Sequence, residues 1–292
     1  MDAQAQKIET VRRYYDQNTP LFLSLGSSPK TLSIHRAVWA EGTRTLEEAL
    51  DYTNSLILGE TEALAKQSDS EQLRILDLGC GVGGSLFYLL EHLDRPATAV
   101  GLTISPVQAR IATETAAQKV LSQSCLFLEA DFQAVPLAPG AQLVYSVEAF
   151  IHAPNPGGYF EGVSRLLQTG GRLILCDDFL AGPAAQGQAT RAEQAWLDAY
   201  LEGWQVNSLY PLEDVQRMAS ACQLELVRAQ DLTPCLRLRL LPGGLASLLL
   251  KMGRRLHLKH AMLPSMLGSL ALQHCLHMGL VRYRFLVFEK RG

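Results

Sequence analysis

The sequence predicts an α/β protein in which a seven-stranded, mostly parallel sheet is covered by helices on both faces, a doubly wound fold. From Leu73 onward, short apolar runs alternate with helical patterns, which is typical of strand–helix–strand units. The strand runs are almost continuously apolar, as expected for strands buried on both faces. The length of 292 residues favours one large domain with elaborations over two equal domains.

The individual elements follow from these runs and from the breaks between them. Five strands alternate with three helices, and two later strands complete the sheet. The third helix is expected to end at the Gly170-Gly171 pair. The predicted strands are Arg74–Leu78, Ala97–Leu102, Cys125–Glu129, Leu143–Val147, Arg172–Asp177, Leu224–Ala229 and Arg282–Glu289, and the helices are Gly83–His92, Pro106–Leu121 and Gly158–Gln168.

Two segments fall outside this alternation. We expect residues 1–70 to form an N-terminal helical lid, residues 71–231 the core, and residues 232–292 an apolar, basic helical cap followed by the last strand. Residues 261–281 carry no formal charge, but Pro264, Gly268 and several polar side chains disfavour a membrane span. The sequence therefore favours a cap over a ligand, and membrane association is not the favoured interpretation.

Charge and composition indicate which kind of protein this is. An apolar content of 48% and a charged content of 19% are ordinary for a globular protein. The six cysteines are scattered without a CxxC pair, which favours a reducing compartment over a zinc ribbon or a disulfide framework. The N-terminus is polar and mixed in charge, so we expect a cytoplasmic protein. The basic region after Cys235 suits a membrane surface, an anionic substrate or simply a solvated helix face.

A glycine-rich turn follows the first predicted strand in "ILDLGCGVGGS". Gly79, Gly81 and Gly84 match GxGxxG, a pattern shared by several nucleotide-binding folds. Asp77 precedes the first glycine, where an acid suits a cationic amino acid group better than a pyrophosphate. A dinucleotide site also requires an acid about 20 residues further on, and the second strand ends in "GLTIS" without one. The turn therefore disfavours a nicotinamide cofactor.

Five motifs follow one another along the chain in the order and at the spacing of a known protein family. They are "LDLGCGVGG", "GLTISPVQ", "EADFQAVPL", "SVEAFIHAPN" and "LLQTGGRLILCDDF". In them the chain resembles the class I S-adenosylmethionine-dependent methyltransferases, in the small-molecule branch that includes sterol, tocopherol and natural-product enzymes. The resemblance implies a Rossmann-like methyltransferase fold and S-adenosylmethionine as the cofactor. It also implies a set of cofactor-binding residues, namely Tyr15, Asp77, Gly79, Cys80, Gly81, Gly83, Thr103, Gln108, Asp131, Phe132 and Ser146.

Within that set, the resemblance gives several residues a specific partner. Thr103 and Gln108 are the candidates for the ribose hydroxyls, because this chain lacks the acid that many class I enzymes place after the second strand. Asp131 would accept from the adenine amino group, although it also suits the N-cap of a helix. The segments "VRRYYDQNT" and "LSIHRAVWAEG" resemble the opening lid of the family, so Tyr15, His35 and Trp39 either line a lid or pack a helical cap.

The catalytic candidates lie after the fourth and fifth strands, where doubly wound folds bind their ligands. Glu148 and His152 follow the fourth strand and Asp178 follows the fifth. With an oxygen acceptor, His152 is the natural base and Asp178 would orient it. With an alkene carbon acceptor, Glu148 and nearby aromatic rings would face the carbocation. Purely structural roles remain open for Glu148, as an acid at the end of a strand, and for His152, as a hydrogen-bonded loop histidine.

Several histidines and arginines are weaker candidates for binding a metal or a substrate phosphate. The pairs His257/His260 and His274/His277 are predicted to lie on helix surfaces rather than to bind metal. A phosphate or diphosphate on the substrate could be held by four arginines, Arg237, Arg239, Arg254 and Arg255.

The sequence therefore predicts a methyltransferase for a lipophilic small molecule, with C-methylation of an isoprenoid or prenylated natural product favoured. The alternatives are an O-methyltransferase of a hydroxylated secondary metabolite and a cofactor-binding partner protein without catalysis. A nucleic-acid substrate is disfavoured, because the chain lacks an Asn/Asp-Pro-Pro-Tyr/Phe motif and its basic region has few stacking aromatic residues. An anionic substrate and a homo-oligomer both remain open.

Overall fold

The computed structural model describes residues 3–25, 31–135, 137–255 and 262–292. Its sheet has seven strands, β1 (Leu73–Leu78), β2 (Ala97–Thr103), β3 (Cys125–Glu129), β4 (Ala141–Val147), β5 (Leu167–Leu180), β6 (Leu224–Asp231) and β7 (Val281–Lys290). The strand order is β3-β2-β1-β4-β5-β7-β6. Neighbours among β1 to β5 are parallel, and β7 runs antiparallel to both β5 and β6. The predicted seven-stranded doubly wound fold is confirmed.

Ten α-helices accompany the sheet within the described residues. They are α1 (Ala3–Leu25), α2 (Leu46–Gln67), α3 (Gly84–His92), α4 (Pro106–Gln118), α5 (Pro156–Leu166), α6 (Gly182–Ala185), α7 (Arg191–Gly203), α8 (Leu212–Ser220), α9 (Gly243–Arg255) and α10 (Met262–His277). One face of the sheet packs against α2, α3, α4, α7 and α10, and the other packs against α5 and α8. This double cover explains the nearly continuous apolar character of the strands.

Two helix boundaries differ from the sequence prediction for local reasons. Helix α5 begins earlier than predicted because Asn155 caps it, accepting a hydrogen bond from the Gly158 amide at 3.1 Å, and Pro156 fits the first turn. It also ends earlier, since Leu167 already pairs with Ala141 in the sheet. Helix α4 stops at Gln118, before Val120 adopts a left-handed backbone with φ of 59°.

The helices before the last strand occur as predicted, but one histidine prediction is wrong. Helix α10 packs closely on α7, where Gly203 and Gly268 leave no room for side chains: a Cβ on Gly203 would lie 2.6 Å from the Gly268 Cα. This contact buries His274, whose ring stacks on Trp196 at 4.5 Å, so His274 does not lie on a helix surface. His277 is exposed, and the pair at 257 and 260 lies outside the described residues.

Two absences concern only the parts of the chain that the structure describes. In those parts, histidines, cysteines and acids form no group of three or more that could hold a metal ion. None of the helices there combines the length and the apolar character needed to cross a bilayer.

Candidate active site

A cavity opens at the carboxyl ends of β1, β2 and β4, between the sheet and α1. This is where a doubly wound fold binds its ligands. Most of the site residues predicted from the sequence line it, namely Tyr15, Asp77, Gly79, Cys80, Gly81, Thr103, Gln108, Asp131, Phe132, Glu148 and His152. Three predicted residues, Gly83, Ser146 and Asp178, lie outside its lining and make other contacts.

The glycine turn brings backbone, rather than side chains, to the cavity. Gly79 has a φ of +95°, and a Cβ there would lie 2.3 Å from the Cβ of Ala149, so only glycine fits. Gly81 has a φ of +55° and faces open space, with the nearest side-chain atom, Cδ1 of Ile34, at 3.8 Å from a built Cβ. Gly83 serves packing instead, since a Cβ there would lie 2.8 Å from the ring of Phe127.

Asp77 lies at the end of β1, next to the glycine turn, and is almost completely buried. Burial raises the pKa of its carboxyl group to about 7. Among the described residues no salt bridge involves Asp77, so a positively charged ligand group would stabilise its ionised form. S-adenosylmethionine carries such charges on its ammonium and sulfonium groups. The residues present therefore fit this cofactor.

Two buried side chains at the end of β2 connect the cavity to α1. The Thr103 hydroxyl donates to Oε1 of Gln108 at 2.8 Å, and Nε2 of Gln108 donates to the Thr19 hydroxyl at 3.1 Å. Ser105, which caps α4, donates to Asp16 of α1 at 2.6 Å. Helix α1 is therefore tied by polar contacts to the strand end at which we expect the ribose.

Asp131 lies beyond the end of β3 and lines the cavity together with Phe132. Its Oδ1 accepts a hydrogen bond from the Gln133 amide at 2.9 Å. Burial raises the pKa of its carboxyl group. Among the described residues only a turn follows Asp131, so the alternative of a helix N-cap is wrong. The turn contact involves one carboxylate oxygen, and the adenine role stays a prediction.

His152 is buried in a short 3₁₀ turn, Phe150–His152, with both ring nitrogens engaged. Nδ1 lies 3.1 Å from the carbonyl oxygen of Gln205, and Nε2 lies 2.8 Å from the Tyr15 hydroxyl. A carbonyl only accepts, so Nδ1 carries the proton and Nε2 accepts from Tyr15. Burial lowers the pKa of His152 to about 4, which keeps the ring neutral at pH 7.

The Asp178 carboxylate is paired with an arginine rather than with His152. Arg36 donates from Nη1 and Nη2 to the two oxygens of Asp178, both at 2.7 Å, and the Tyr200 hydroxyl donates at 2.5 Å. Burial opposes the charge of Arg36, but Asp178 and Glu148 outweigh it and raise the arginine pKa well above its ordinary value. The expected orientation of His152 by Asp178 is replaced by this ion pair.

Glu148 is held by the same arginine. Its Oε1 accepts from the Arg36 amide at 2.8 Å and from the Tyr283 hydroxyl at 2.9 Å, and Nε of Arg36 lies 3.3 Å away. The guanidinium also lies 4.3 Å from the centroid of the Tyr283 ring. All of these contacts end on Oε1, and the residue lines the cavity. Glu148 also adopts a left-handed backbone, with φ of +50°, a strained conformation that is frequent at functional sites.

We name Glu148, Arg36, Asp178, Tyr200 and Tyr283 the carboxylate network. The sequence indicated only the two acids. Arg36 stands in "LSIHRAVWAEG" beside the predicted lid residue His35, but nothing in its local pattern distinguishes it from a surface arginine. Tyr200 and Tyr283 belong to α7 and β7, far along the chain, so only the tertiary contacts reveal them.

Helix α1 and the stretch after it cover the cavity. Ile8, Val11 and Tyr15 of α1 line it, as does His35, and Trp204 closes one side. Trp39, the third expected lid residue, does not line the cavity; the guanidinium of Arg237 lies 3.3 Å from its ring centroid.

Two of the four arginines expected to hold a phosphate do not reach the cavity. Arg237 and Arg239 are exposed and lie outside its lining. The side chains of Arg254 and Arg255 lie outside the described part of the chain. Among the described residues the cavity lining contains no lysine or arginine, and Arg36, which pairs with the lining residue Glu148, is shared between two carboxylates.

Comparison with known proteins places the chain in a family and gives its fold solved counterparts. A family described as a methyltransferase domain matches residues 69–216, half of the chain. Tocopherol O-methyltransferase of Arabidopsis thaliana is 32% identical over 133 residues, 45% of this chain and 35% of the relative. Sterol 4-C-methyltransferase of Caenorhabditis elegans is 32% identical over 133 residues, 45% of this chain and 37% of the relative. The matches thus span about a third of the length of these relatives.

The fold has solved counterparts. A structure of geranyl diphosphate methyltransferase in complex with GPP and sinefungin superposes with a TM-score of 0.74 at 17% identity, covering 97% of this chain and 99% of that chain. This likeness shows the shared fold. The chain therefore belongs to the methyltransferase-domain family. Its cofactor is S-adenosylmethionine.

Proposed function

We propose that the protein transfers the methyl group of S-adenosylmethionine to a carbon atom of a lipophilic, isoprenoid-like molecule. The observation that supports a carbon acceptor best is the position of the Glu148 carboxylate. Arg36 and Tyr283 anchor it through one oxygen, and the residue lines a cavity with many apolar walls. The relatives named for tocopherol, sterol and geranyl diphosphate support a lipophilic acceptor.

The cofactor, when bound, supplies an electrophilic methyl group on a positively charged sulfur. In this proposal Asp77 pairs with its ammonium group, and backbone at Gly79, Cys80 and Gly81 leaves space for the methionine portion. Thr103 and Gln108 bind the ribose, while Asp131 and the Phe132 amide bind the adenine. Tyr15 covers the methionine end. Gly83 and Ser146 support the site indirectly, since Ser146 donates to the Leu78 carbonyl at 2.8 Å, between adjacent strand ends.

Alkene attack on the methyl carbon forms a C–C bond, breaks the S–CH₃ bond and leaves a carbocation on the acceptor, which then loses a proton. A fixed carboxylate beside that cation stabilises the transition state most strongly where water is excluded. The walls formed by Ile8, Val11 and Val147 provide such an apolar surrounding. Glu148 is therefore the proposed counter-charge and proton acceptor, and the rest of the carboxylate network keeps it in position.

An oxygen acceptor is the second candidate, and the state of His152 favours it. Neutral imidazole with a hydrogen-bond-accepting Nε2 at the cavity is suited to remove a hydroxyl proton once Tyr15 releases it. Its pKa of about 4 makes it a weak base, however, and the ring is protonated only as the pH falls towards 4. For this reason we place the carbon acceptor first.

The test compares Glu148→Gln with His152→Ala, using labelled S-adenosylmethionine and three acceptors, namely geranyl diphosphate, a sterol and a prenylated phenol. With a carbon acceptor, Glu148→Gln should lower turnover by about 10²–10⁴-fold, while affinity for S-adenosylhomocysteine changes little. His152→Ala should then have the smaller effect. Glu60→Gln is the matched control, because Glu60 is as buried as Glu148, at 12% side-chain exposure, and pairs with Arg172 instead.

The opposite order of losses, with the His152→Ala deficit partly recovered at high pH, would assign the reaction to oxygen. Binding of S-adenosylhomocysteine without methyl transfer to any acceptor or cell-extract fraction would favour the non-catalytic partner protein.

A further inference from the structure

Helix α9 presents an apolar stripe to solvent. Leu245, Leu248, Leu249 and Met252 follow the i, i+3, i+4, i+7 spacing of one helix face, and their exposures range from 38% to 53%. Leu250 of the same helix is buried in the core, so the helix is fixed by another face. A surface helix of a globular protein normally turns its apolar stripe inward, and α9 turns this one outward.

Two residues that directly precede the helix in the sequence extend the stripe into a patch. Leu240 and Leu241 are exposed just before α9. The other exposed large apolar side chains of the described chain, among them Val120 and Leu126, are distributed over different elements. Scattered apolar residues need no explanation, whereas a contiguous exposed patch indicates an interaction surface.

The chain segment that carries the patch contains charges of one sign only. Between Asp231 and Glu289 the sequence contains no acid. Arg237 and Arg239 are exposed shortly before the patch. Three further basic residues, Lys251, Arg254 and Arg255, stand in the last turns of α9 by sequence position. An apolar face with basic residues on the same segment is typical of helices that lie in a membrane interface.

Two other occupants fit these observations less well. A symmetric pairing of two copies would place the same basic segment against itself, which costs free energy through like-charge repulsion. Insertion across a bilayer is excluded for α9, because its 13 residues extend about 20 Å and the hydrocarbon core is about 30 Å thick. A negatively charged lipid surface complements both the charge and the apolar stripe.

We propose that the apolar stripe of α9, with Leu240 and Leu241, docks on the surface of a membrane that contains anionic lipids. The leucine side chains enter the boundary between headgroups and acyl chains, and the exposed Arg237 and Arg239 face lipid phosphates. Helix α10 contacts a wall of the cavity, since Gly268 packs on Gly203, the last residue of α7, and on Trp204, which follows it and lines the cavity. Delivery of a lipophilic acceptor from the membrane to the cavity would rest on the proposed function, but docking itself does not.

The test is sedimentation of the full chain with vesicles of phosphatidylcholine alone or of phosphatidylcholine and phosphatidylglycerol in equal parts. The chain should sediment with the anionic vesicles and bind them less as ionic strength rises. Leu248→Glu should weaken that binding about tenfold or more, because it removes one apolar side chain and adds a repelled charge. Leu126→Glu is the matched control, since Leu126 is 54% exposed on β3 and Leu248 is 53% exposed.

Thermal unfolding should first show that both variants fold as well as the unmodified chain. The proposal fails if the unmodified chain does not bind anionic vesicles, if neutral vesicles bind equally well, or if Leu126→Glu weakens binding as much as Leu248→Glu. A lipid-free dimer that Leu248→Glu dissociates would assign the patch to a second copy instead. None of these readings uses methyl transfer, so they are independent of the proposed function.

Discussion

The two ends of the cavity, which we propose to hold the cofactor and the acceptor, are built differently. At the cofactor end, the residues belong to short motifs after β1, β2 and β3, and the bond between Thr103 and Gln108 joins residues five positions apart. At the acceptor end, Arg36 reaches Asp178 across 142 positions and Tyr283 reaches Glu148 across 135. The first end is encoded locally, and the second exists only after the chain has folded.

The ends also differ in electrostatics. Asp77 at the cofactor end is buried without a cation among the described residues, and its pKa is raised to about 7. Glu148 and Asp178 at the acceptor end share the guanidinium of Arg36. The cofactor end therefore depends on a charge that the ligand brings, whereas at the acceptor end one guanidinium of the protein already offsets one of the two carboxylate charges. Substitutions at Gly81, Arg36 and Asp77 test this contrast.

The largest expected effect is a loss of cofactor affinity on substitution of Gly81. Because Gly81 faces open cavity space, Gly81→Val should fold and yet occupy the volume of the cofactor, lowering affinity for S-adenosylhomocysteine by about 1,000-fold or more, equivalent to about 4 kcal/mol. The measurement is calorimetric titration. Gly187→Val is the control, since Gly187 also has a positive φ, +68°, with open space around it and no place in the cavity lining. Equal losses in both variants would mean that backbone strain, and not cavity volume, explains the result.

At the acceptor end, loss of the Arg36 guanidinium should lower both the stability of the fold and the turnover. Arg36→Met leaves Glu148 and Asp178 unpaired and should cost about 3–5 kcal/mol of unfolding free energy, with turnover reduced about 100-fold, close to the cost of one lost oxyanion-type contact. Cofactor affinity should change much less. Both turnover and urea unfolding are to be measured. Arg172→Met, which removes a half-buried arginine from Glu60, should destabilise the fold without a comparable loss of turnover. Similar turnover in the two variants would reduce Arg36 to a structural role.

The smallest effect concerns the stability of the cofactor-free protein. The folded pKa of Asp77 lies above its ordinary value of 3.8, so ionisation of this group destabilises the fold as the pH rises from about 4 to 7. Asp77→Asn should therefore raise the free energy of unfolding at pH 8, by at most on the order of 4 kcal/mol, and change it little at pH 4.

The same variant should bind S-adenosylhomocysteine at least about tenfold more weakly, because an amide no longer neutralises the ammonium group. Urea unfolding at the two pH values, with and without S-adenosylhomocysteine, measures both effects. The exposed Asp198→Asn serves as control. Lower stability of Asp77→Asn at pH 8 would mean that the protein itself already compensates the charge of Asp77.

Sequence reasoning failed where a contact partner comes from a distant element. Asp178 was expected beside His152 because the two follow adjacent strands. Instead, Arg36, which lies between α1 and α2, donates hydrogen bonds to both carboxylate oxygens of Asp178. His152 instead pairs with Tyr15 and the Gln205 carbonyl. Likewise His274 was expected on a helix surface and is buried by the close contact of α10 with α7.

The strands, their helical connections and the glycine turn could all be read from the amino-acid order, because they depend on apolar periodicity and on backbone conformations that few residues adopt. The resemblance of the motifs to a known family predicted the cofactor end of the cavity, and those motifs are likewise local in sequence. Folding in three dimensions was needed to join Glu148 to Asp178 through Arg36, to keep His152 neutral, and to turn the leucine stripe of α9 outward. Each of these depends on which distant groups share a low-dielectric space, and a charge or an apolar face has no fixed partner until folding brings those groups together.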